Sequence, residues 1–455
     1  MIKERHDGLK RELRLIDSVA LIVCSVIGSG IFLVPSAVAQ NIQEPGMTLL
    51  IWIFTGAIAL FGGLSYAELG SIMPFTGGQY VYIKESYGNF LSFLYGWTLF
   101  WIINSGSIAT LAVAFSMYYK YLFPVEIVTQ KLIAVGCVAI LTAINYRGIR
   151  FNAMIQNVFA FVKVGSLLLI IIFGFSVAKG NLNNMHPLFP SEFSLKYLSV
   201  IGIAMVGTLW TYEGWHLLNF VSGEIKNPKK NIPISLVTGI LILISIYLMA
   251  NILYFYYMPI SEIANSDFLA AETTERFAGA IGGIFITAVI LISVFGAAHS
   301  NLVAGPRVFF AMAKDKLFFS KLATVHPKFK SPHISVVIQG LWSAVLTLII
   351  GTYSGLFTFV ISAAAIFYAL TVGSIFILRK KYPDIERPYK VWGYPVVPII
   401  FILVITAFVI NSLVNTFITE PKNALLFVFI IVFGIPAYYY WSSKLKNEQE
   451  ISNKS

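Results

Sequence analysis

The sequence predicts an all-α polytopic membrane protein of twelve spans, built as two five-helix inverted repeats with a broken helix at the first and sixth spans. Three observations predict it. Only 12% of the 455 residues are charged against 57% hydrophobic, and the mean hydropathy is +0.79, outside the range of ordinary soluble domains. Apolar stretches of about 20 residues, enough to cross ~30 Å of hydrocarbon, recur from end to end. Glycine-containing interruptions fall deep inside the first and the sixth of these stretches.

Hydropathy, punctuated by turn residues and charge, places spans at 14–41, 47–72, 89–119, 127–145, 152–178 and 198–223, then at 233–257, 277–305, 334–350, 355–378, 395–418 and 423–442. The expected organisation is a cytoplasmic N-terminal segment (1–13), a first repeat (14–178), an extracellular linker (179–197), a second repeat (198–380), two further spans (395–442) and a cytoplasmic C-terminal segment (443–455). The first span follows five basic residues but is longer than a signal-peptide core and lacks a small-residue cleavage site, so it is expected to be retained.

A net charge of +11 raises the question of a nucleic-acid partner, and the position of the charges answers it. With the N-terminus inside, 25 of the 32 Lys and Arg residues fall in cytoplasmic segments and 6 in outer ones, while Lys163 lies within a span. Topology therefore accounts for the basic charge, and no nucleic-acid partner is expected. The multi-pass chain is placed in the plasma or inner membrane with both termini cytoplasmic. Only Cys24 and Cys137 occur, both within apolar segments, which excludes a disulfide framework.

The first interruption is Gly28-Ser29-Gly30 and the second is Gly207 to Trp215, which includes Glu213-Gly214. Glycine weakens a helix by up to ~1 kcal/mol relative to alanine, and unwound backbone at membrane depth is tolerated where it lines a cavity. A close helix contact of the small-residue type is the alternative for Gly-Ser-Gly. The match in position favours the functional reading, because a repeat of five spans reverses orientation and puts the two breaks in equivalent places. The N–H groups of Ser29, Gly30 and Ile31 then suit a substrate carboxylate, and the carbonyls of Ile27, Leu209 and Trp210 suit its ammonium group.

Lys163 sits about ten residues into the fifth span, too deep to reach the interface. It serves either as a fixed cation between the breaks, in place of a coupling sodium or as a proton relay, or as a structural lysine bonded to carbonyls. Glu213 either selects cationic side chains or pairs internally, with Lys163 or another donor. Trp210 closes over the substrate or fills the bundle core. Asn104, Tyr247, His299 and Tyr368 are further polar groups within spans and are possible specificity residues. Walker-type loops, nucleophile elbows and His/Glu metal pairs at helical spacing are absent from the sequence, so neither an enzyme activity nor a cofactor or metal is expected.

The chain resembles the amino acid/polyamine/organocation superfamily, and within it the L-type amino-acid transporter branch. The likeness spans nearly the whole sequence. It rests on Gly28-Ser29-Gly30-Ile31-Phe32; on Tyr66 to Gly70 with Gly77-Gly78-Gln79-Tyr80; on Tyr212 to Trp215 with Asn227-Pro228; and on Arg307 to Phe310, His326-Pro327 and Glu386 to Val391. The resemblance implies the twelve-span LeuT-like fold and sodium-independent exchange of L-amino acids at the two breaks, with neutral amino acids favoured. Proton-coupled symport, or an exchanger that also accepts cationic amino acids, is the alternative. It also implies that Trp210 is the aromatic gate and that Lys163 replaces a sodium site. Branch members that join a heavy chain do so through a cysteine between spans three and four. Residues 119–127 contain none, so a lone subunit of the prokaryotic kind is expected, with membrane lipid and small amino acids as its partners.

Overall fold

A chain in hydrocarbon must satisfy its own backbone N–H and C=O groups, so helices dominate. A computed structural model describes residues 9–192, 195–349, 353–419 and 421–454. Its helices are α1 (Leu15–Val26), α2 (Gly30–Asn41), α3 (Pro45–Ile72), α4 (Gln79–Tyr87), α5 (Asn89–Thr98), α6 (Asn104–Leu122), α7 (Ile127–Asn145), α8 (Ile149–Val177) and α9 (Leu195–Thr211). There follow α10 (Leu217–Phe220), α11 (Pro228–Tyr257), α12 (Ile260–Asn265), α13 (Leu269–Ala304), α14 (Pro306–Lys314), α15 (His333–Ile349), α16 (Tyr353–Lys381), α17 (Val396–Thr419) and α18 (Pro421–Lys454). A π-helical turn, Leu99–Ile103, joins α5 to α6. No β-strand occurs among the described residues. Parts of the expected N-terminal segment (1–8), linker (193–194), second repeat (350–352), final pair of spans (420) and C-terminal segment (455) lie outside the described residues.

Nine helical stretches among the described residues are long and apolar enough to cross a bilayer, and Tyr197–Thr211 and His333–Ile349 are shorter apolar helices. Apolar side chains cover the outside as well as filling the core. Phe161 and Ile281 are 80% and 82% exposed, whereas Ser29, Thr55, Lys163, Thr208 and Asn251 are fully buried. Helix α2 packs on α9, α3 on α11, α6 on α13 and α7 on α15.

The largest departures from the expected boundaries lie at two helices. The eighth span, expected at 277–305, begins as α13 at Leu269 and kinks at Gly279, whose φ of +68° is open to glycine. The extra turns carry Glu272, Glu275 and Arg276 among buried Thr273 and Thr274, so average hydropathy undervalues them. The helix holding the stretch 423–442, α18, runs on to Lys454, so residues 443–454 continue it as helix. Its Lys, Glu and Gln residues are good helix formers but are invisible to a hydropathy scan.

Charged motif residues far apart in sequence meet in space. Glu68 accepts hydrogen bonds from Arg379 at 2.7 and 2.9 Å and from the Val391 N–H at 2.7 Å. Arg307 Nε bonds Glu224 Oε1 at 2.8 Å with both side chains buried, and the Glu224 carbonyl accepts the N–H groups of Glu12 and Leu13 at 2.9 Å each. Arg307→Ala removes a buried charge partner of Glu224 and is expected to destabilise the protein by roughly 3–5 kcal/mol. Thermal melting in detergent checks this, and a melting temperature equal to wild type rejects it.

Candidate functional site

α1 ends where Ile27 turns to ψ 88°, leaving Gly28 and Ser29 as a bend before α2 begins at Gly30. The N–H groups of Ser29, Gly30 and Ile31 make no backbone hydrogen bond among the described residues. They stand at the N-terminus of a 12-residue helix, where unpaired donors and the helix dipole favour negative charge. α9 ends at Thr211, and residues 212–216 form turns before α10. Gly214 has φ +116°, and a Cβ there would stand 3.1 Å from the Ser25 carbonyl oxygen, so glycine is required twice over.

The two breaks touch. A Cβ on Gly30 would meet the Thr211 Cα at 2.9 Å, and Ser25 Oγ donates to the Gly214 carbonyl at 3.1 Å. The Tyr247 hydroxyl lies 3.0 Å from the Val26 carbonyl and 3.1 Å from that of Thr211, tying together the C-terminal ends of both half-helices. Between the breaks is a cavity of about 20 Å³. Ser29, Gly30, Trp210, Thr211 and Glu213 line it, together with Ser107 and Leu111 of α6 and Asn301 of α13. That volume admits roughly one water, so the cavity is too small for an amino acid in this conformation.

Of the expected site residues, Ser29, Gly30, Trp210 and Glu213 line the cavity, and Ile27, Ile31, Leu209, Lys163, Asn104, Tyr247 and His299 do not. Trp210 Nε1 donates to the Tyr353 hydroxyl at 3.0 Å, and that hydroxyl bonds Ser29 Oγ at 2.9 Å. The indole also stacks on Phe357, with ring centroids 6.0 Å apart. Breaking this link by Tyr353→Phe removes two hydrogen bonds worth about 1 kcal/mol each. The expected result is a KM for transported substrate raised about tenfold with normal insertion, measured by initial uptake rates. An unchanged KM dismisses the link.

Glu213 Oε1 accepts the Tyr368 hydroxyl at 2.9 Å, and that hydroxyl also lies 3.1 Å from His216 Nδ1. Of the two partners considered, the carboxylate therefore takes another donor rather than Lys163. Lys163 Nζ donates to the carbonyls of Cys24 at 2.8 Å and Ile27 at 2.7 Å, at the unwound end of α1. Ser293 Oγ bonds the Ile27 carbonyl as well, at 3.0 Å. In this conformation the Ile27 carbonyl, an expected acceptor for the substrate ammonium group, is therefore engaged by two donors of the protein. The Leu209 carbonyl accepts no backbone N–H among the described residues, and that of Trp210 accepts only the Glu213 N–H, at 3.1 Å. Asn104 Nδ2 bonds the Asn301 carbonyl at 3.2 Å, and His299 Nε2 lies 3.2 Å from Asn152 Oδ1.

Sequence reasoning missed Tyr353 and Ser293. Ser293 belongs to a visible series of small residues with Gly296, Ala297 and Ser300 along one face of α13. Tyr353 carries no local signal, since its role depends on α16 crossing beside the first break.

Interrupted helices meeting at a small polar cavity inside a bundle of apolar helices are the build of a membrane transporter. The amino acid permease family model matches residues 13–436, and the chain belongs to this family, within the amino acid/polyamine/organocation superfamily. The chain is 34% identical to the serine/threonine exchanger SteT of Bacillus subtilis over 436 residues, 95% of this chain and 97% of that protein. It is 33% identical to the large neutral amino acids transporter small subunit 2 of Mus musculus, over 96% of this chain and 83% of that one. It is 29% identical to the mouse b(0,+)-type amino acid transporter 1, over 96% and 91%. The family and these relatives are transporters, not enzymes.

Proposed function

We propose that the protein exchanges L-amino acids across the plasma or inner membrane by alternating access, without sodium and with a preference for neutral side chains. The observation that carries this reading is the facing pair of helix breaks: open N–H groups at Ser29, Gly30 and Ile31 for a carboxylate, and free acceptor capacity at Leu209 and Trp210 for an ammonium group. Trp210 acts as the gate, held closed through Tyr353. Sodium independence is supported by Lys163, whose ammonium group occupies carbonyls that a sodium ion would need. Neutral preference is supported by Glu213, whose carboxylate is already engaged by Tyr368. Asn104, Tyr247 and His299 support the site from behind rather than contacting substrate.

The reading includes twelve spans, inverted repeats at 14–178 and 198–380, and cytoplasmic termini. The packing of corresponding helices supports the repeats, and the 25 to 6 distribution of basic residues supports the orientation. A lone subunit is proposed because both cysteines, Cys24 and Cys137, are buried and out of reach of a heavy chain.

The test is uptake of a panel of labelled amino acids into proteoliposomes that are empty, or preloaded with the same amino acid or with a cationic one. Uptake confined to vesicles loaded with neutral amino acids, indifferent to sodium, is expected. Uptake into empty vesicles that follows a pH gradient replaces exchange with symport, and uptake driven by internal cationic amino acids replaces the neutral preference.

A further inference from the structure

Basic side chains from four separate segments converge on one cleft at the end of the bundle where the N-terminal segment packs. Lys10 and Arg14 precede α1, Arg150 lies in the first turn of α8, Lys226 precedes α11, and Lys328 and Lys330 precede α15. The cleft encloses about 970 Å³ and counts six basic residues against two acidic ones, Glu12 and Asp17. Asp17 is satisfied within the protein, by the Arg14 N–H at 2.8 Å, Arg14 Nε at 3.3 Å and Asn157 Nδ2 at 2.7 Å. Lys10, Arg150, Lys226, Lys328 and Lys330 make no ion pair among the described residues. The inside bias of basic residues explains their side of the membrane, but not their gathering round a single concavity.

The cleft has a second, apolar half. Met154 and Val158 line it, and with Phe161 they form an i, i+4, i+7 stripe on α8 that is 58%, 57% and 80% exposed. Ile16 on α1 adds to the exposed apolar surface at 65%. Gly148 and Ile149, at the N-terminal and positive dipole end of the 29-residue α8, form part of the polar wall.

We infer that this cleft is a binding site for an anionic phospholipid, with its phosphate among Arg150, Lys328 and Lys330 and an acyl chain along Met154, Val158 and Phe161. Charge complementarity selects an anionic head group, and the unbroken passage from the basic floor to the exposed stripe selects a lipid over a soluble anion. Because the cleft joins α1, α8 and the segment before α15, the lipid braces three parts of the bundle at that end.

The test titrates the purified full-length protein, in detergent, with phosphatidylglycerol, phosphatidylcholine and inorganic phosphate, and reads lipid retention by native mass spectrometry. Each cation near an anionic head group strengthens binding by about fivefold, so phosphatidylglycerol is expected to bind at least about tenfold more tightly than phosphatidylcholine. The triple variant Arg150→Gln, Lys328→Gln, Lys330→Gln is expected to lose at least about tenfold of that affinity. The matched variant Lys314→Gln, Lys321→Gln, Lys444→Gln removes three exposed charges elsewhere and is expected to stay within about twofold of wild type. Equal retention of the two lipids, equal losses in both variants, or displacement of the lipid by inorganic phosphate overturns the proposal. Should the triple variant fail to fold, Lys328→Gln alone and the wild-type ratio of the two lipids decide the matter.

Discussion

Lys163→Ala is expected to lower amino-acid exchange at least about a hundredfold while leaving insertion and melting close to wild type. The ammonium group donates to the Cys24 and Ile27 carbonyls, the acceptors that α1 leaves open where it unwinds. Hydrogen bonds to a charged group contribute roughly 1.5–3 kcal/mol each, and losing two of them frees the bend whose next residues offer N–H groups to the cavity. Global stability moves little, because the variant also loses the desolvation penalty of a buried charge. Lys163→Met, which keeps the length without the donors, is expected to behave like alanine. Exchange at the wild-type rate in proteoliposomes containing either variant removes Lys163 from the mechanism.

Gly30→Ala is expected to be the second most damaging single substitution, reducing exchange by about tenfold or more. The added methyl group meets Thr211 Cγ2 at 2.8 Å and Thr211 Cα at 2.9 Å, and the latter is backbone that cannot swing aside. Overpacking of this kind costs about 1–3 kcal/mol in stability. Transport suffers more, because the only relief is to part the two breaks and displace the N–H groups from their facing acceptors. Thr211→Ser removes the side-chain methyl but keeps the hydroxyl at 2.5 Å and the backbone at 2.9 Å, so it is expected not to rescue. Gly165→Ala is the control: nothing lies within 4 Å of its Cβ, and alanine is the better helix former. Initial exchange rates compare the three, and a Gly30→Ala rate equal to that of Gly165→Ala refutes the close approach.

Much of this site is legible in the sequence without the fold. Gly28-Ser29-Gly30 and the segment around Gly214 announce unwound helix, and a charge as deep as Lys163 announces a buried partner. Partner choice is not legible there. Glu213 is open to Lys163 or another donor, and only the crossing of α16 brings Tyr368 to it at 2.9 Å. The Ile27 carbonyl, expected to face substrate, is instead turned to Lys163 and Ser293. Tyr353, which links Trp210 to Ser29, gives no signal at all.

The sequence by itself determined the membrane class, the long apolar helical stretches, the buried charge of Lys163 and the two points where helices stop. Each of these follows from local composition: apolar length against bilayer thickness, glycine against helix stability, and the cost of charge in hydrocarbon. Only the tertiary structure decided which carbonyl takes which donor, that the two breaks touch at Gly30 and Thr211, and that the cavity between them holds about 20 Å³. The physical reason is range. Hydrogen bonds and steric repulsion act over about 3 Å, and helices distant in sequence reach that range only through packing.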